Sequence, residues 1–297
     1  MRFFILAIYF ICSAFNGLLA QQATDLILLD AKLKGGHLHV QTESLQLLTD
    51  RNLYDNQPFF INDKQLAFSA ADEKGNHDII IYTIASGKFV NLTQTRDFNE
   101  FSPATTDCGL YVSAITVEPT GKQRLWLYPN NFGEPELLYD DIEPVGYYAW
   151  YDNRAAMFVL GSPNKLVYPY SREEVHTIAE NVGRSIHLKP KSSIISYVDK
   201  SDIKESPEGK TYAIKGFDIT NRTYHDFGRT LPGSEDMIWL SKDLLLMGSG
   251  DNLYVRKITQ PNWKSVATIN LDSHSKISRL AYSTKLKKLV VVMDRKN

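Results

Sequence analysis

Short apolar segments recur along this chain, separated by polar turns. Six of them read LAFSA, LYVSA, AMFVL, IISYV, LLLMG and LVVVM, and they begin in that order at Leu66, Leu110, Ala156, Ile194, Leu244 and Leu289. Their starting points lie about 45 residues apart. The segments are apolar along their whole length and not only at every second position, which is typical of strands covered on both faces. This pattern predicts a repeated β-sheet unit.

The first complete unit, residues 54–93, shows what one repeat contains. Four strand-like segments, DNQPFF, QLAFSA, DIIIYTI and FVNLT, are joined by turns that carry Asn, Asp and Gly. Four-stranded units of this period, each packed between two neighbours, are typical of β-propeller blades and WD40-like repeats. The length of the chain relative to the period predicts an all-β, six-bladed β-propeller with four-stranded antiparallel blades.

Each end of the chain supplies half a unit. The last repeat offers only the segments 277–282 and 288–294, and the segments 25–33 and 44–50 precede the first complete unit. An unpaired strand at a sheet edge is prone to aggregation, so natural folds pair it or cover it. We therefore predict that Leu289–Met293 pairs with the segment 25–33. This pairing would close the ring as a composite sixth blade, made by the N- and C-terminal strands.

The first 20 residues differ from the rest of the chain. They combine a basic residue near the start with an apolar stretch and small residues, and the polar pair Gln21 and Gln22 follows. This arrangement predicts a secretory signal peptide at residues 1–20, with an uncleaved membrane anchor as the alternative. Residues 21–297 are then predicted to form a single propeller domain. We expect it to be exported, to the periplasm or outside the cell, and free of the membrane once the signal is removed.

Charge, cysteine content and motifs narrow the classes of partner. The formal net charge of −1 provides no field that would attract nucleic acid, so no nucleic-acid partner is predicted. Cys108 is the only cysteine after the signal, so no internal disulfide is expected and stability must come from packing. Motifs of zinc proteases, serine hydrolases, phosphate-binding loops and calcium loops are absent from the sequence, which predicts neither a metal nor a cofactor.

The turns and strand ends of the early repeats carry a recurring motif. It reads in the first unit as Gln57-Pro58, Asn62-Asp63, Ala67-Phe68-Ser69, Asp78-Ile79-Ile80-Ile81-Tyr82 and Asn91-Leu92-Thr93, and in the second as Phe101-Ser102-Pro103 and Asp107-Cys108-Gly109. This motif resembles the repeat of the TolB-like six-bladed propeller family, most clearly over residues 54–128. The resemblance implies an exported scaffold whose faces or central funnel bind something. It does not extend to the additional N-terminal domain of TolB, so the role of TolB in the Tol–Pal system is not implied.

The first strand of each blade lines the channel of a propeller, so residues near the starts of these strands are candidates for a ligand site. In the last unit, the residues that enter this strand are Ser278 and Arg279. The candidates selected for a ligand site are Glu100, Tyr147, Tyr148, Trp150, Arg184, His187 and Asp236. Arg184 can hold a carboxylate or phosphate through two hydrogen bonds, and the aromatic rings offer flat faces to a sugar or peptide. The alternative is a network of acids and arginines that satisfy one another. His187 lies three residues after Arg184 in a strand, so we expect the two side chains to point to opposite sides.

Two functions are consistent with this sequence. The favoured one is a monomeric binding or scaffolding module that engages a protein or small-molecule ligand of the cell envelope through its central funnel, with no catalytic residue. The alternative is a hydrolase or lyase that acts on a carbohydrate or peptide in the channel. Its catalytic groups would come from Glu100, Tyr148, Arg184, His187 and Asp236. An enzyme requires two or three such groups within hydrogen-bond reach around an open cavity.

Overall fold

In the part of the chain that the structure describes, every assigned element is a β-strand. The structure is a computed structural model that describes residues 22–296, so the predicted signal peptide at residues 1–20 lies outside the described residues. Twenty-four strands in this range form six four-stranded antiparallel sheets, which confirms the predicted all-β, six-bladed propeller. No helix within residues 22–296 is long and apolar enough to cross a membrane.

The chain begins with two strands of the composite blade and then forms five blades from consecutive strands. The first two strands are β1 (Thr24–Lys34) and β2 (His37–Leu47). Blade I contains β3 (Asp55–Phe60), β4 (Gln65–Ala71), β5 (His77–Thr83) and β6 (Lys88–Asn91). Blade II contains β7 (Asn99–Thr105), β8 (Tyr111–Val117), β9 (Gln123–Pro129) and β10 (Glu136–Leu137). Blade III contains β11 (Val145–Tyr151), β12 (Arg154–Val159), β13 (Lys165–Pro169) and β14 (Val175–Glu180).

The second half of the ring follows the same order. Blade IV contains β15 (Val182–Leu188), β16 (Ile194–Ser206), β17 (Gly209–Asp218) and β18 (Thr223–Arg229). Blade V contains β19 (Met237–Ser241), β20 (Leu244–Ser249), β21 (Asn252–Lys257) and β22 (Lys264–Thr268). The last strands, β23 (His274–Ser283) and β24 (Lys288–Arg295), complete blade VI. The strand order of this blade is β2-β1-β24-β23, so its inner half comes from the C-terminal part of the chain.

The composite blade closes the ring through the predicted strand pair. β1 and β24 run antiparallel, with Asp25 opposite Met293 and Leu29 opposite Leu289. Five consecutive residues of β24, 289–293, are fully buried. Closure leaves this strand without a free edge, which removes a template for aggregation. The predicted pairing of the segment 25–33 with Leu289–Met293 is therefore confirmed.

The outermost strand of blade VI begins earlier than the sequence indicated. The apolar pattern predicted a strand at 44–50, whereas β2 spans His37–Leu47. Its first residues pair tightly with β1, and the register then shifts between Leu28 and Asp30 of β1. Only Leu38 of β2 is buried, because the strand lies at the outer edge of its blade. A mostly polar edge strand has a weak apolar signal, which explains the difference.

The middle strands are buried on both faces, as their continuous apolar sequences predicted. In β24, Leu289 and Val291 pack against Leu246 of blade V, whereas Val290 and Val292 face a cluster that contains Phe68 of blade I. Alternate residues of one strand thus enter the cores on both of its sides. The ring is held together by these interblade cores and not by disulfides.

A recurring serine at the ends of the apolar segments connects neighbouring blades. The hydroxyl of Ser69 donates to the backbone carbonyl of Glu100 at 2.7 Å. The indole N–H of Trp150 donates to Ser113 Oγ at 2.8 Å, and that of Trp239 donates to Ser196 Oγ at 2.8 Å. Each bond joins the second strand of one blade to the first strand of the next. These buried bonds satisfy polar groups that would otherwise be costly to bury.

Candidate ligand site in the central channel

The first strands of all six blades line a central channel that contains two open chambers. One chamber has a volume of about 520 Å³ and the other about 540 Å³. Five residues line both chambers, namely Tyr147, Arg184, Asp236, Arg279 and Leu280, and we call the four polar ones the waist. Because these residues border both chambers, the waist lies between them. Volumes of this size are typical of small-molecule pockets.

The waist is built around one carboxylate between two guanidinium groups. Arg184 Nε lies 3.1 Å from each carboxylate oxygen of Asp236, and Arg184 Nη2 also donates to Oδ2. Arg279 Nη1 lies 2.8 Å from Oδ1 of the same carboxylate. Arg279 Nη2 donates to the hydroxyl of Tyr147 at 3.3 Å. Tyr147 belongs to blade III and Arg279 to blade VI, which stand opposite each other in a six-bladed ring, so this bond crosses the channel.

Two adjacent acids of the sequence fix the position of Arg184. Asp236 binds its guanidinium, while the carboxylate of Glu235 accepts a hydrogen bond from the backbone N–H of Arg184 at 2.7 Å. Glu235 also pairs with Lys200 Nζ at 2.8 Å. A Cβ atom at Gly183 would lie 2.4 Å from Glu235 Oε1, so only glycine admits this carboxylate beside the strand. The sequence Gly183-Arg184 in β15 and the acidic pair before β19 thus form one unit.

The electrostatics of the waist leave one positive charge in excess. Two guanidinium groups face one Asp236 carboxylate, and Glu235 is balanced by Lys200. Burial disfavours the charge on Arg184, but the hydrogen bonds and charge of Asp236 outweigh it and raise the pKa of Arg184. Burial lowers the pKa of His187 to about 4, against the opposite effect of Asp236, so the imidazole is neutral at physiological pH. Neither of these two pKa shifts removes the excess positive charge of the waist at neutral pH.

The two chambers differ in the chemistry of their walls. The one that we call the apolar chamber is mostly lined by hydrophobic groups, among them Phe59, Trp150, Ile186, Leu188 and Ile238. The one that we call the polar chamber is lined by charged and hydroxyl groups, among them Glu235, Asp294, Lys276, Ser234 and Ser278. The waist therefore presents its guanidinium groups to two unlike environments.

Six of the seven predicted site residues line the channel. Tyr147, Arg184 and Asp236 form the waist together with Arg279. The other three line the apolar chamber, and they are Tyr148, Trp150 and His187. The hydroxyl of Tyr148 lies 2.9 Å from the backbone carbonyl of Ser102 and 2.8 Å from that of Ser113, and its one proton can be donated to either, so this side chain also ties blade III to blade II.

His187 and Arg184 line the same chamber, although their spacing in the strand predicted that the two side chains point to opposite faces of the sheet. Both residues line the apolar chamber. The register of β15 against β16 shifts between Val182 and Ile186, which breaks the alternation on which the prediction rested. The imidazole Nε2 lies 3.3 Å from Ser185 Oγ. That hydroxyl also donates to the carbonyl of Met237 at 3.0 Å.

Glu100 is the exception, because its side chain lies between blades I and II and not in the channel. The carboxyl group is fully buried, and Oε1 accepts hydrogen bonds from Thr95 at 2.7 Å and Tyr128 at 3.3 Å. No group among residues 22–296 hydrogen-bonds to Oε2. Burial raises the pKa of Glu100 to about 7. A bulge in β7 between Phe101 and Ala104 inserts one residue and reverses the alternation, so Glu100 points away from the channel.

Arg279 is the waist residue that was not among the seven site candidates. It lies in the middle of β23, beside Ser278, at the pair of positions predicted to enter the channel from the last inner strand. Its partners Asp236 and Tyr147 lie 43 and 132 positions earlier in the chain. Only the closed ring brings these residues together, so the position of Arg279 was predictable and its partners were not.

The described residues contain no evident metal-binding centre. Within residues 22–296, no group of three or more His, Cys, Asp or Glu side chains is placed to hold a metal ion. His37 and His39 lie on β2 at the outer edge of blade VI, far from the channel strands in the order of the sheet. The channel presents guanidinium, hydroxyl and aromatic groups to a ligand.

Comparisons with known proteins found similarity of fold. No family model and no curated protein matches this chain. A structure assigned as TolB from Agrobacterium tumefaciens has 9% sequence identity, and the alignment covers 94% of this chain and 100% of that one with a TM-score of 0.68. TolB from Acinetobacter baumannii has 10% identity, with 93% of this chain and 64% of that one covered and a TM-score of 0.57.

A third structure in this group belongs to an enzyme. Oligogalacturonate lyase from Vibrio parahaemolyticus has 10% identity, with 93% of this chain and 98% of that one covered and a TM-score of 0.50. At such low identities these similarities concern the fold alone. They confirm the TolB-like six-bladed propeller that the sequence motifs predicted. The propeller architecture serves many functions, so the site itself must support any functional conclusion.

Proposed function

We propose that this protein is an exported, monomeric binding module that holds a ligand in its central channel. The ligand would be a protein segment or small molecule of the periplasm or the extracellular side of the envelope. The observation that carries this proposal is the waist, where two guanidinium groups face one carboxylate between two open chambers. A network that served only to fill the channel would balance its charges and leave little volume. The waist has an excess of positive charge and free volume on both sides.

An interaction test can separate channel binding from binding by an outer face. The purified protein is immobilised and exposed to the envelope and secreted fractions of its host, beside the variants Arg279→Gln and Arg222→Gln. Arg222 is a matched control, because each of the two arginines pairs with an acid and lies over a tyrosine side chain. Arg222 pairs with Glu174 and lies over Tyr170, away from the channel. We expect a ligand that the unmodified protein and Arg222→Gln retain and that Arg279→Gln loses. A ligand retained equally by all three would contradict a site in the channel.

A channel-sited lyase is the second candidate, and one observation favours it. The fold is similar to that of an oligogalacturonate lyase, and a pair of guanidinium groups is suited to the carboxylates of an acidic sugar. The candidate groups that line the channel are Tyr148, Arg184, His187 and Asp236. The test is incubation with oligogalacturonate while the ultraviolet absorbance of unsaturated product is followed. Product formation that is lost in His187→Ala would favour the lyase over the binding module.

A further inference from the structure

We propose that the ligand of the channel is a small monocarboxylate with an apolar body. Its carboxylate would lie at the waist and its body in the apolar chamber. The inference rests on the binding function proposed above and specifies the ligand class and orientation for the same site. Three features of the channel lead to it: the charge of the waist, its available hydrogen-bond donors and the contrast between the chambers.

The charge of the waist favours an anion with a single charge. Arg184 and Arg279 together carry two positive charges, and Asp236 removes one of them. One carboxylate would restore neutrality in a partly buried site, whereas a phosphate dianion would leave an excess negative charge. Neutral His187 adds no charge to this balance. The number of charges therefore points to a carboxylate and not to a phosphate monoester.

The waist retains donors that can bind such a carboxylate. The bonds of Arg184 to Asp236 use Nε and Nη2, and no hydrogen bond within residues 22–296 uses its Nη1. The side chain of Arg184 is 40% exposed, so this edge of the guanidinium is accessible from the channel. Ser102 lines the apolar chamber, and its buried hydroxyl has no hydrogen-bond partner among the described residues. Both groups line the apolar chamber, and each is a donor that suits a carboxylate oxygen.

The contrast between the chambers sets the orientation of the ligand. In the polar chamber, Glu235 pairs with Lys200 at 2.8 Å and Asp294 with Lys276 at 3.4 Å, so this side offers no surplus charge to an anion and little surface to a hydrophobic body. In the apolar chamber, Phe59, Trp150 and Ile238 offer surface for a hydrophobic body. The only acid of this chamber besides Asp236 is Asp107, which is exposed and accepts a hydrogen bond from the backbone of Asn153. A ligand with one charged end therefore fits with its carboxylate at the waist and its body on the apolar side.

Isothermal titration calorimetry with three related probes tests this inference. The probes are 3-phenylpropanoate, its amide 3-phenylpropanamide and the dianion phenyl phosphate. The proteins are the unmodified chain, Arg279→Gln, Phe59→Ser and the control Arg222→Gln, each checked for an unchanged thermal unfolding transition. We expect the unmodified protein to bind the carboxylate at least about tenfold more tightly than the amide or the phosphate. The amide loses a charge-assisted hydrogen bond, and the phosphate carries one negative charge more than the waist can neutralise.

The variants locate the two ends of the ligand. Arg279→Gln should weaken the carboxylate about tenfold or more and leave the amide unchanged, whereas Phe59→Ser should weaken both. Arg222→Gln should change neither. Equal binding of the acid and its amide, tighter binding of phenyl phosphate, or an Arg279→Gln variant that binds like the unmodified protein would each overturn the inference. So would a failure of all three probes to bind, and the envelope interaction test would then decide separately whether the channel binds a ligand of another class.

Discussion

Two charged clusters of this propeller use the same residue types in opposite proportions. Where β1 meets β24, the guanidinium of Arg295 pairs with both Asp25 and Asp50. We call this cluster, which also includes His274, the seam. At the waist, one carboxylate pairs with two guanidinium groups. The seam thus has more acid than arginine, and the waist has more arginine than acid. The surplus at the waist is what makes it available to an additional anion.

Exposure separates the two clusters further. The side chains of Asp25 and His274 are 0% exposed, and His274 Nε2 lies 3.0 Å from Asp25 Oδ2. The other oxygen of Asp25 accepts hydrogen bonds from the hydroxyl of Thr49 at 3.1 Å and the backbone N–H of Arg51 at 3.2 Å. Asp50 lies at the exposed rim of the seam, but the buried pair of Asp25 and His274 is fully satisfied, which fixes the structure there and leaves no capacity for a ligand. The partly exposed waist with free donors does have that capacity.

Loss of the closing strand should have the largest effect. Deletion of residues 287–297 removes β24, which carries five fully buried residues and the seam arginine. We expect loss of the cooperative unfolding transition of the whole domain, because β1 and β23 would lose the strand between them. Circular dichroism during thermal unfolding measures this. A control that lacks only Lys296 and Asn297 should unfold as the full chain does, and a deletion variant that kept the original melting temperature would contradict closure by this strand.

Substitution at the seam should have the next largest effect. Asp25→Asn removes the buried charge that faces Arg295 and His274. Loss of this fully buried carboxylate should cost about 3–5 kcal/mol of the free energy of unfolding, because Thr49, the backbone of Arg51 and His274 would lose their charged partner in a buried site. Chemical denaturation measures the change. A loss below about 1 kcal/mol would mean that the seam is no more structural than a surface pair and would remove the contrast with the waist.

Glu100 extends the comparison to a buried carboxyl without any cation partner. Its folded pKa of about 7 lies above the ordinary value of 4.5, so between these pH values the folded protein holds a proton that the unfolded chain has released. The free energy of unfolding should therefore fall as the pH rises from about 4.5 to 7, by about 3 kcal/mol in total. In Glu100→Gln this contribution should be absent. Denaturation at several pH values measures the difference between the two proteins, and a constant difference would contradict the shifted pKa.

The sequence predicted the fold well because one physical requirement repeats in every blade. Each middle strand is covered on both faces, so segments such as 289–293 had to be apolar throughout. The half units at the two ends then predicted that the ring closes by pairing one with the other in a composite blade. The edge strand β2 was located less well, since a strand exposed on one side and at its edge needs few apolar residues.

The site was predicted only in part, because side-chain direction depends on irregularities in the inner strands. The bulge of β7 turned Glu100 out of the channel, and the register shift of β15 brought His187 onto the same chamber as Arg184. Neither irregularity can be read from alternation of residue types. Arg279 was predicted to enter the channel but was not selected as a site residue, because its bond to Tyr147 joins opposite blades, 132 residues apart, and exists only in the closed ring.

The smallest effect on stability is expected at the waist itself. Asp236→Asn leaves two arginines without their carboxylate, but Arg184 is 40% exposed and can be hydrated from the channel, and Arg279, although 16% exposed, keeps its bond to the hydroxyl of Tyr147. The free energy of unfolding should therefore fall by about 1–2 kcal/mol, between the values for exposed and buried ion pairs. Denaturation beside Asp25→Asn measures this difference directly. Equal losses in the two variants would show that exposure and charge proportion do not distinguish the clusters.

The same variant should change which anion the channel prefers. Without Asp236, the two guanidinium groups carry a surplus of two positive charges, which matches a dianion better than a monocarboxylate. The affinity for phenyl phosphate should then rise relative to that for 3-phenylpropanoate, by about tenfold, because one like charge has been removed from beside the ligand. Calorimetry with both probes on the unmodified protein and on Asp236→Asn gives this ratio. A ratio that stays the same would mean that Asp236 only positions the two arginines and that the charge of the waist does not select its ligand.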